Sequence, residues 1–385
     1  MRLSHLTSAT VAALVGLAGT LAVVLAAAEA VGATPAQTTS WVTGIFVAMA
    51  LCSGLLSVWH RTPIIVAYST PGAAVIAATA GSVSMSAAVG AFLLAGGLIV
   101  LTALIGPLKR LIEAIPMPVA SGMLAGVLLP FVVDMAKAVP AAPAMVLPLA
   151  AVFLVVRLWS PALAMVAVIV VAIAIALIGG ALVRELGDIR LSRLEWIEPA
   201  FDWPVLIGLG VPLYLVTMAS QNLPGAAVLR AHGYAVPMQS SLAVTGLASL
   251  AIAPFGGHTV NLAAITAAIC MGPDTHPDPA RRWPAGIAYL LVYAALAAAG
   301  ASLVALFQAF PGPLVKAIAG LGLLASLTGA MTGAVADSEH RIAAVTTFVV
   351  TASGIAIAGI GAAFWGLVAG LVVLAVDRLA ARQPS

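Results

Sequence analysis

Charge is what this chain has least of. Acidic and basic residues fill 8% of its 385 positions and hydrophobic residues fill 63%, where soluble domains hold roughly 25% and 45–50%. With a mean hydropathy of +1.16, that is more apolar surface than a soluble core can bury, so the solvent is a bilayer and the chain is polytopic. Cysteine is nearly absent. Cys52 and Cys270 both stand in apolar surroundings and read as small packing residues, not as a disulfide or metal pair. Basic residues occur singly between apolar runs. Despite a net charge of +3 there is no basic stripe or aromatic platform, which argues against a nucleic-acid partner. No cofactor motif is present. An intramembrane enzyme would need a nucleophile, a base and an orienting acid; Ser220 and His258 lack the acid. A channel would show charged rings or a continuous polar face, and neither is seen.

What is there instead is a succession of long apolar runs. Arg2 and His5 ahead of such a run, with Ala28-Glu29-Ala30 behind it, imitate a signal peptide. The run from Ser8 to Ala28 is however roughly 20 residues, long enough to span a membrane, and is read as the first transmembrane helix. At about 20 residues per span the chain divides into fourteen segments: 8–30, 37–58, 63–80, 84–106, 114–136, 142–159 and 161–182, then 204–230, 236–254, 257–272, 284–308, 312–333, 341–360 and 361–379. The expected organisation is a first half over 1–182, an external polar linker over 183–203 and a second half over 204–385.

The positive-inside rule tests that division. With a cytoplasmic N-terminus, the inside loops hold Arg2, Arg61, Lys109, Arg110, Arg157, Arg230, Arg281, Arg282, Arg341, Arg378 and Arg382. The outside holds Lys137, Arg184, Arg190, Arg193 and Lys316. Both termini are therefore expected in the cytoplasm. Seven spans per half place the second half upside down, as an inverted repeat. At an offset of 190, Ser69 aligns with Thr259, and Ala73, Ala74, Ala77 and Ala78 with Ala263, Ala264, Ala267 and Ala268.

Two spans are interrupted. Tyr68-Ser69-Thr70-Pro71-Gly72-Ala73-Ala74 and Pro254-Phe255-Gly256-Gly257-His258-Thr259-Val260-Asn261 are polar and helix-breaking at a depth where only protein-buried or cavity-lining backbone survives. Paired breaks in two halves point to a secondary transporter's binding site. Before the first break, residues 62–68 read as extended; Thr70 is expected to cap a new helix with Pro71 at its first position. In the second, Gly256-Gly257 supplies an extended piece and Thr259 or Asn261 the cap of a helix through Cys270. Two half-helix N-termini facing one cavity favour an anion there. No basic residue lies mid-span, and the missing central carboxylate argues against a cation substrate.

The amides Gln221 and Asn222 can orient a ligand or serve as interhelical hydrogen bonds. His258 can carry a proton or bond a carboxylate, or it can satisfy backbone carbonyls at the break. Tyr68 can meet the substrate or pack. Asp274-x-His276-x-Asp278 resembles a metal-ligand spacing, yet Asp278-Pro279 reads better as the cap and first turn of the next helix. Glu29, Asp337 and Glu339 are read as interfacial, Glu29 with a role in proton entry as the alternative.

Over essentially the whole chain, these breaks and the run 262–283, with Gly272-Pro273 and His276-Pro277-Asp278-Pro279-Ala280-Arg281-Arg282-Trp283, resemble the benzoate:proton symporter family (BenE). That family is similar in architecture to uracil permease and to the sulfate/bicarbonate transporters. The resemblance implies an all-α polytopic fold of about fourteen spans, a 7+7 inverted repeat with core and gate domains and two discontinuous spans. It implies uptake of benzoate or a related aromatic carboxylate with a proton across an inner (plasma) membrane, by an elevator-like movement. A homodimer is compatible with it. The alternative is another small anion or a nucleobase, moved by uniport or exchange.

The substrate is then expected at Tyr68, Ser69, Thr70, Pro71 and Gly72 of the third span and at Met218, Gln221 and Asn222 of the eighth. His258, Thr259, Val260, Asn261 and Leu262 complete it from the tenth. His258 and Glu29 are the candidates for proton coupling. Nucleobase relatives carry glutamates in the eighth and tenth spans; this chain has amides and His258 there, which suits an anionic ligand.

Overall fold

The computed structural model describes residues 2–79, 83–105, 116–180 and 191–380. Part of the linker, 183–190, and the basic residues Lys109, Arg110, Arg184, Arg190 and Arg382 lie outside them. The described chain is almost wholly helical. α1 (Leu3–Ala30), α2 (Pro35–His60) and the short strand β1 (Val66–Tyr68) lead into the half-helix α3 (Thr70–Ala77). α4 (Met85–Leu104), α5 (Met117–Ala138), α6 (Pro143–Trp159) and α7 (Pro161–Ile178) follow. The second half opens on α8 (Trp203–Ala231) and continues with α9 (Met238–Ile252), strand β2 (Val260–Leu262) and half-helix α10 (Ile265–Met271). α11 (Pro284–Ala298), α12 (Gly300–Gln308), α13 (Gly312–Val335), α14 (Arg341–Ala352) and α15 (Ala362–Ala380) complete it. Among the described residues, eight helices are long and apolar enough to cross a bilayer, or nine if the pair bent by 61° at Ala299 counts as one.

Two groups of helices are distinguishable by what they pack against. α11 lies along α2, α9 along α4, and α1 against α3, α10 and α11; α5 packs on α13 and α14, α14 on α15, and α6 on α7. The groups meet where α1 touches α7 and α13, and where α3 and α8 touch α5. α1 and α13 cross at glycine on both sides: a β-carbon built on Gly322 would run into the backbone of Gly19. Cys52 and Cys270 are free and buried.

Several local expectations are corrected. The span expected over 284–308 bends because the side chain of Ser192 takes the Ala301 N–H (2.9 Å), replacing a carbonyl one turn back, a recognised cause of kinks. The span expected over 341–360 stops as a helix at Ala352, since Gly354, Ala358 and Gly359 adopt positive φ, which ends right-handed helix. α8 contains two π-helical stretches, Leu206–Gly210 and Met218–Asn222. Each lies just ahead of a proline, Pro212 or Pro224, whose missing N–H disturbs the ladder. Asp278 caps a 3₁₀ turn over Pro279–Arg281 (Oδ1 accepts from Ala280 N, 2.9 Å), one turn ahead of α11. Asp337 and Glu339 are exposed in the α13–α14 turn; His340, 2.6 Å from Asp337, holds that carboxyl below the usual carboxylate range.

Candidate functional site: a two-stranded ladder inside the membrane

The residues of the two breaks pair with each other. β1 and β2 run antiparallel with Val66 opposite Leu262, Ala67 opposite Asn261 and Tyr68 opposite Val260. The ladder continues through Ser69 N to Thr259 O (3.0 Å) and Ala263 N to Ile65 O (2.9 Å). Its outer edges would be orphaned in lipid, and side chains close them. Ser53 of α2 accepts from Val66 N (2.9 Å), Ser249 of α9 from Val260 N (3.0 Å) and Asn222 Oδ1 from Leu262 N (3.0 Å). Gly256 makes the approach to β2 possible with φ at +87°.

This pairing moves both caps from where they were expected. The first half-helix is capped by Ser69, not Thr70: Ser69 is extended and its Oγ accepts from Gly72 N (3.1 Å), so Pro71 falls at the second helical position. The second half-helix has no side-chain cap. Thr259 and Asn261 are held in and beside the strand, and α10 starts only at Ile265, so its opening N–H groups have no intrahelical partner. Because the strands are antiparallel, α3 and α10 leave the ladder from opposite ends.

His258 is fully buried and uses both ring nitrogens. Nδ1 accepts from the indole N–H of Trp41 (2.9 Å), which leaves Nε2 to donate to Ser69 O (3.0 Å). The imidazole thus ties α2 to both breaks. Thr217 of α8 donates to Ser69 Oγ (3.1 Å) and bonds Thr259 Oγ1 (2.8 Å). Asn222 Nδ2 reaches Met218 Sδ (3.4 Å). Ser69, Asn222, His258 and Thr259 therefore form the buried frame, together with Val260 and Leu262 in the ladder. Gly72 keeps α3 close to α8: a β-carbon there would stand 2.6 Å from Leu213.

A different set of residues has exposed surface. Gly16 and Thr20 of α1, Ala67, Thr70, Ala219, Ser220, Gln221 and Ala264 are all part-exposed. Tyr68 is buried, with its hydroxyl bonded to Thr20 Oγ1. Asn261 is fully buried; its Nδ2 donates to Leu262 O (2.9 Å) while Oδ1 has no partner. Glu29 is exposed at the far end of α1, nine residues or about 14 Å along the helix from Thr20, and is not brought to the site. Sequence reasoning missed Thr20, Trp41, Thr217, Ser53 and Ser249. Single hydroxyls and an indole in apolar runs carry no signal until the backbone they satisfy is located. Among the described residues no group of three His, Cys, Asp or Glu is placed to hold a metal.

The buried frame is made of backbone and neutral side chains. The family model described as benzoate membrane transport protein matches residues 1–376. The chain belongs to the BenE family. It is 36% identical over 370 residues to the inner membrane protein YdcO of Escherichia coli, covering 96% of this chain and 95% of that one. It is 33% identical over 361 residues to the benzoate membrane transport protein of Acinetobacter baylyi, covering 94% and 92%. Among solved structures, the fold is similar to murine Slc26a9, an anion transporter in the inward-facing state (TM-score 0.68, 13% identity, 100% of this chain and 69% of that one). It is also similar to the transmembrane domain of the cyanobacterial bicarbonate transporter BicA (TM-score 0.58, 14% identity, 96% and 97%). The family and the structural neighbours are transporters, not enzymes.

Proposed function

We propose that this protein carries benzoate or a related aromatic carboxylate into the cell together with a proton. The observation that carries the reading is the paired break at the membrane centre, framed without a charged side chain, in a chain of the benzoate transport family. The carboxyl group sits between α3 and α10, near Thr70, Gln221 and the opening N–H groups of α10. The unpartnered Oδ1 of Asn261 is an acceptor, so it welcomes a protonated carboxyl, which can donate to it, and repels a carboxylate. That favours movement of the neutral acid, which also lowers the cost of crossing low dielectric. The aromatic ring lies beside Tyr68 and the small residues Gly16, Ala67 and Ala219.

The wider architecture belongs to the same reading. Fourteen spans form two inverted repeats, 1–182 and 204–385, with both termini cytoplasmic. What supports the repeat is the matched bracing of the breaks, Ser53 to Val66 N and Ser249 to Val260 N. The α1–α4 and α8–α12 group is the core, which slides past a gate of α5–α7 and α13–α15. Radiolabelled benzoate uptake into proteoliposomes, with an imposed inward proton gradient and with or without a protonophore, tests it. Accumulation that the protonophore abolishes is the expected result. Uptake indifferent to the gradient overturns symport, and no uptake by folded protein overturns the substrate.

A further inference from the structure

Behind the ladder, three hydroxyls meet with no partner outside their own cluster. Thr266 of α10 and Tyr289 and Tyr293 of α11 are buried, both tyrosines completely; none of their oxygens makes a hydrogen bond of regular geometry, while the Tyr289 hydroxyl lies close enough to those of Tyr293 and Thr266 to interact with both. Buried polar groups in folded proteins are paired in roughly nine cases of ten or more, so three adjacent orphans form one site. The tyrosine rings are 4.6 Å apart. The polar and titratable neighbours are the Thr266 hydroxyl and Cys270 thiol from α10 and Tyr68 from β1. From α1 comes Gly16, where a β-carbon would stand 3.4 Å from the Tyr293 hydroxyl. The Gly16 carbonyl in turn accepts from Thr20 (2.5 Å), and Thr20 is bonded to Tyr68. One end of the cluster therefore touches the substrate break.

The other end points at a surface cleft. Arg2, His5, His276, Arg281, Trp283 and Pro284 line a cavity of about 230 Å³. Tyr289 is five residues, or about 7.5 Å along α11, from Pro284 at its edge. Next to the cleft residues His5 and His276, Thr275 Oγ1 bonds Ser8 Oγ and Ser4 Oγ donates to Thr275 O, both at 2.8 Å.

We propose that Thr266, Tyr289 and Tyr293 enclose bound water, and that this hydrated cluster carries the coupled proton between the Tyr68 end of the break and the cleft. A buried water bonds about three polar groups, and three hydroxyls are in place. Each oxygen that accepts a proton on one side gives one up on the other, so one proton enters, one leaves and no charge stays behind. His258 is unsuited to this task, since a second ring proton would oppose the Trp41 N–H.

This rests on the proton-coupled reading above, and two assays on the full chain separate the two claims. Gradient-driven benzoate accumulation needs proton release, whereas benzoate counterflow at equal pH does not. Tyr293→Phe and Thr266→Val are expected to slow accumulation about tenfold, as a blocked transfer step would, with counterflow within about twofold of wild type. Thr266→Ser restores accumulation. Equal loss of both activities indicates mere packing and overturns the proposal, as does no loss of either. Melting gives a second readout: Tyr293→Phe lowers the melting temperature if it strips hydrogen bonds to water, and a rise, marking a dry cluster, overturns the proposal. A wild-type protein that shows counterflow but no gradient-driven accumulation sinks symport itself.

Discussion

At the residue scale, His258 and Asn261 are three positions apart and do opposite things. His258 has both nitrogens bonded and acts as a brace. Removing its donor in Trp41→Phe leaves a buried acceptor unpaired, at a cost of about 1–3 kcal/mol, and is expected to lower the melting temperature in detergent. The pH profile of uptake should not move, because His258 braces the breaks and does not carry the proton; a shifted profile would make His258 the proton carrier. Asn261 has an acceptor with no partner. Asn261→Leu removes that unsatisfied atom together with the Nδ2 bond to Leu262 O, so stability should change little while the apparent affinity for benzoate falls about tenfold, or about 1.4 kcal/mol. Equilibrium binding and thermal melting on the same preparation read the two effects, and unchanged affinity would remove Asn261 from the site.

At the scale of elements, the two breaks are legible in the sequence as polar, Gly- and Pro-bearing interruptions, but their pairing is not. Nothing in Val66-Ala67-Tyr68 announces Val260-Asn261-Leu262 as its partner, because strand register is set by contacts 194 residues apart. The misplaced caps follow from this: once β2 is held extended to Leu262, α10 cannot start earlier. Ser53 and Ser249 close the sheet from α2 and α9. Ser53→Ala and Ser249→Ala should each cost about 1–3 kcal/mol by orphaning a buried N–H, with the double variant near the sum if the edges are independent. Denaturant melts would measure this, and neutral substitutions would mean that the N–H groups find other partners. The α13–α14 turn gives a pH test. The lowered pKa of Asp337 means that its pairing with His340 stabilises the turn above the ordinary aspartate range and is lost as pH falls through the depressed value. The protection of the turn's amides, taken as the exchange rate relative to an unstructured peptide at the same pH, should fall only in strong acid.

At the scale of the whole molecule, α1 is where the two helix groups meet, packed on α7 and α13. The Gly19–Gly322 contact brings backbone against backbone with no side chain between, which suits the proposed sliding of the two groups. Gly322→Val places a branched side chain against the Gly19 backbone. We expect uptake to fall at least about tenfold while benzoate binding in detergent changes less, a split that marks lost movement. Equal loss of binding and uptake would assign the glycines to folding alone. The described residues after 190 bind the first turns of α2 and α4 and the turn that follows α9: Glu195 N to Ser40 Oγ, Ala200 N to Ser86 O and Ile197 N to Pro254 O.

Composition and hydropathy determined, without a structure, that the chain lives in lipid, that it is mostly helical and where two of its helices fail. Those properties follow from local transfer energies and backbone sterics, which each segment carries by itself. The tertiary structure decided which groups face the ligand and which hold the frame. A buried N–H, hydroxyl or imidazole takes its role from the partner it meets, and Trp41, Thr217, Ser249 and Tyr293 meet theirs only when segments far apart in the chain pack together.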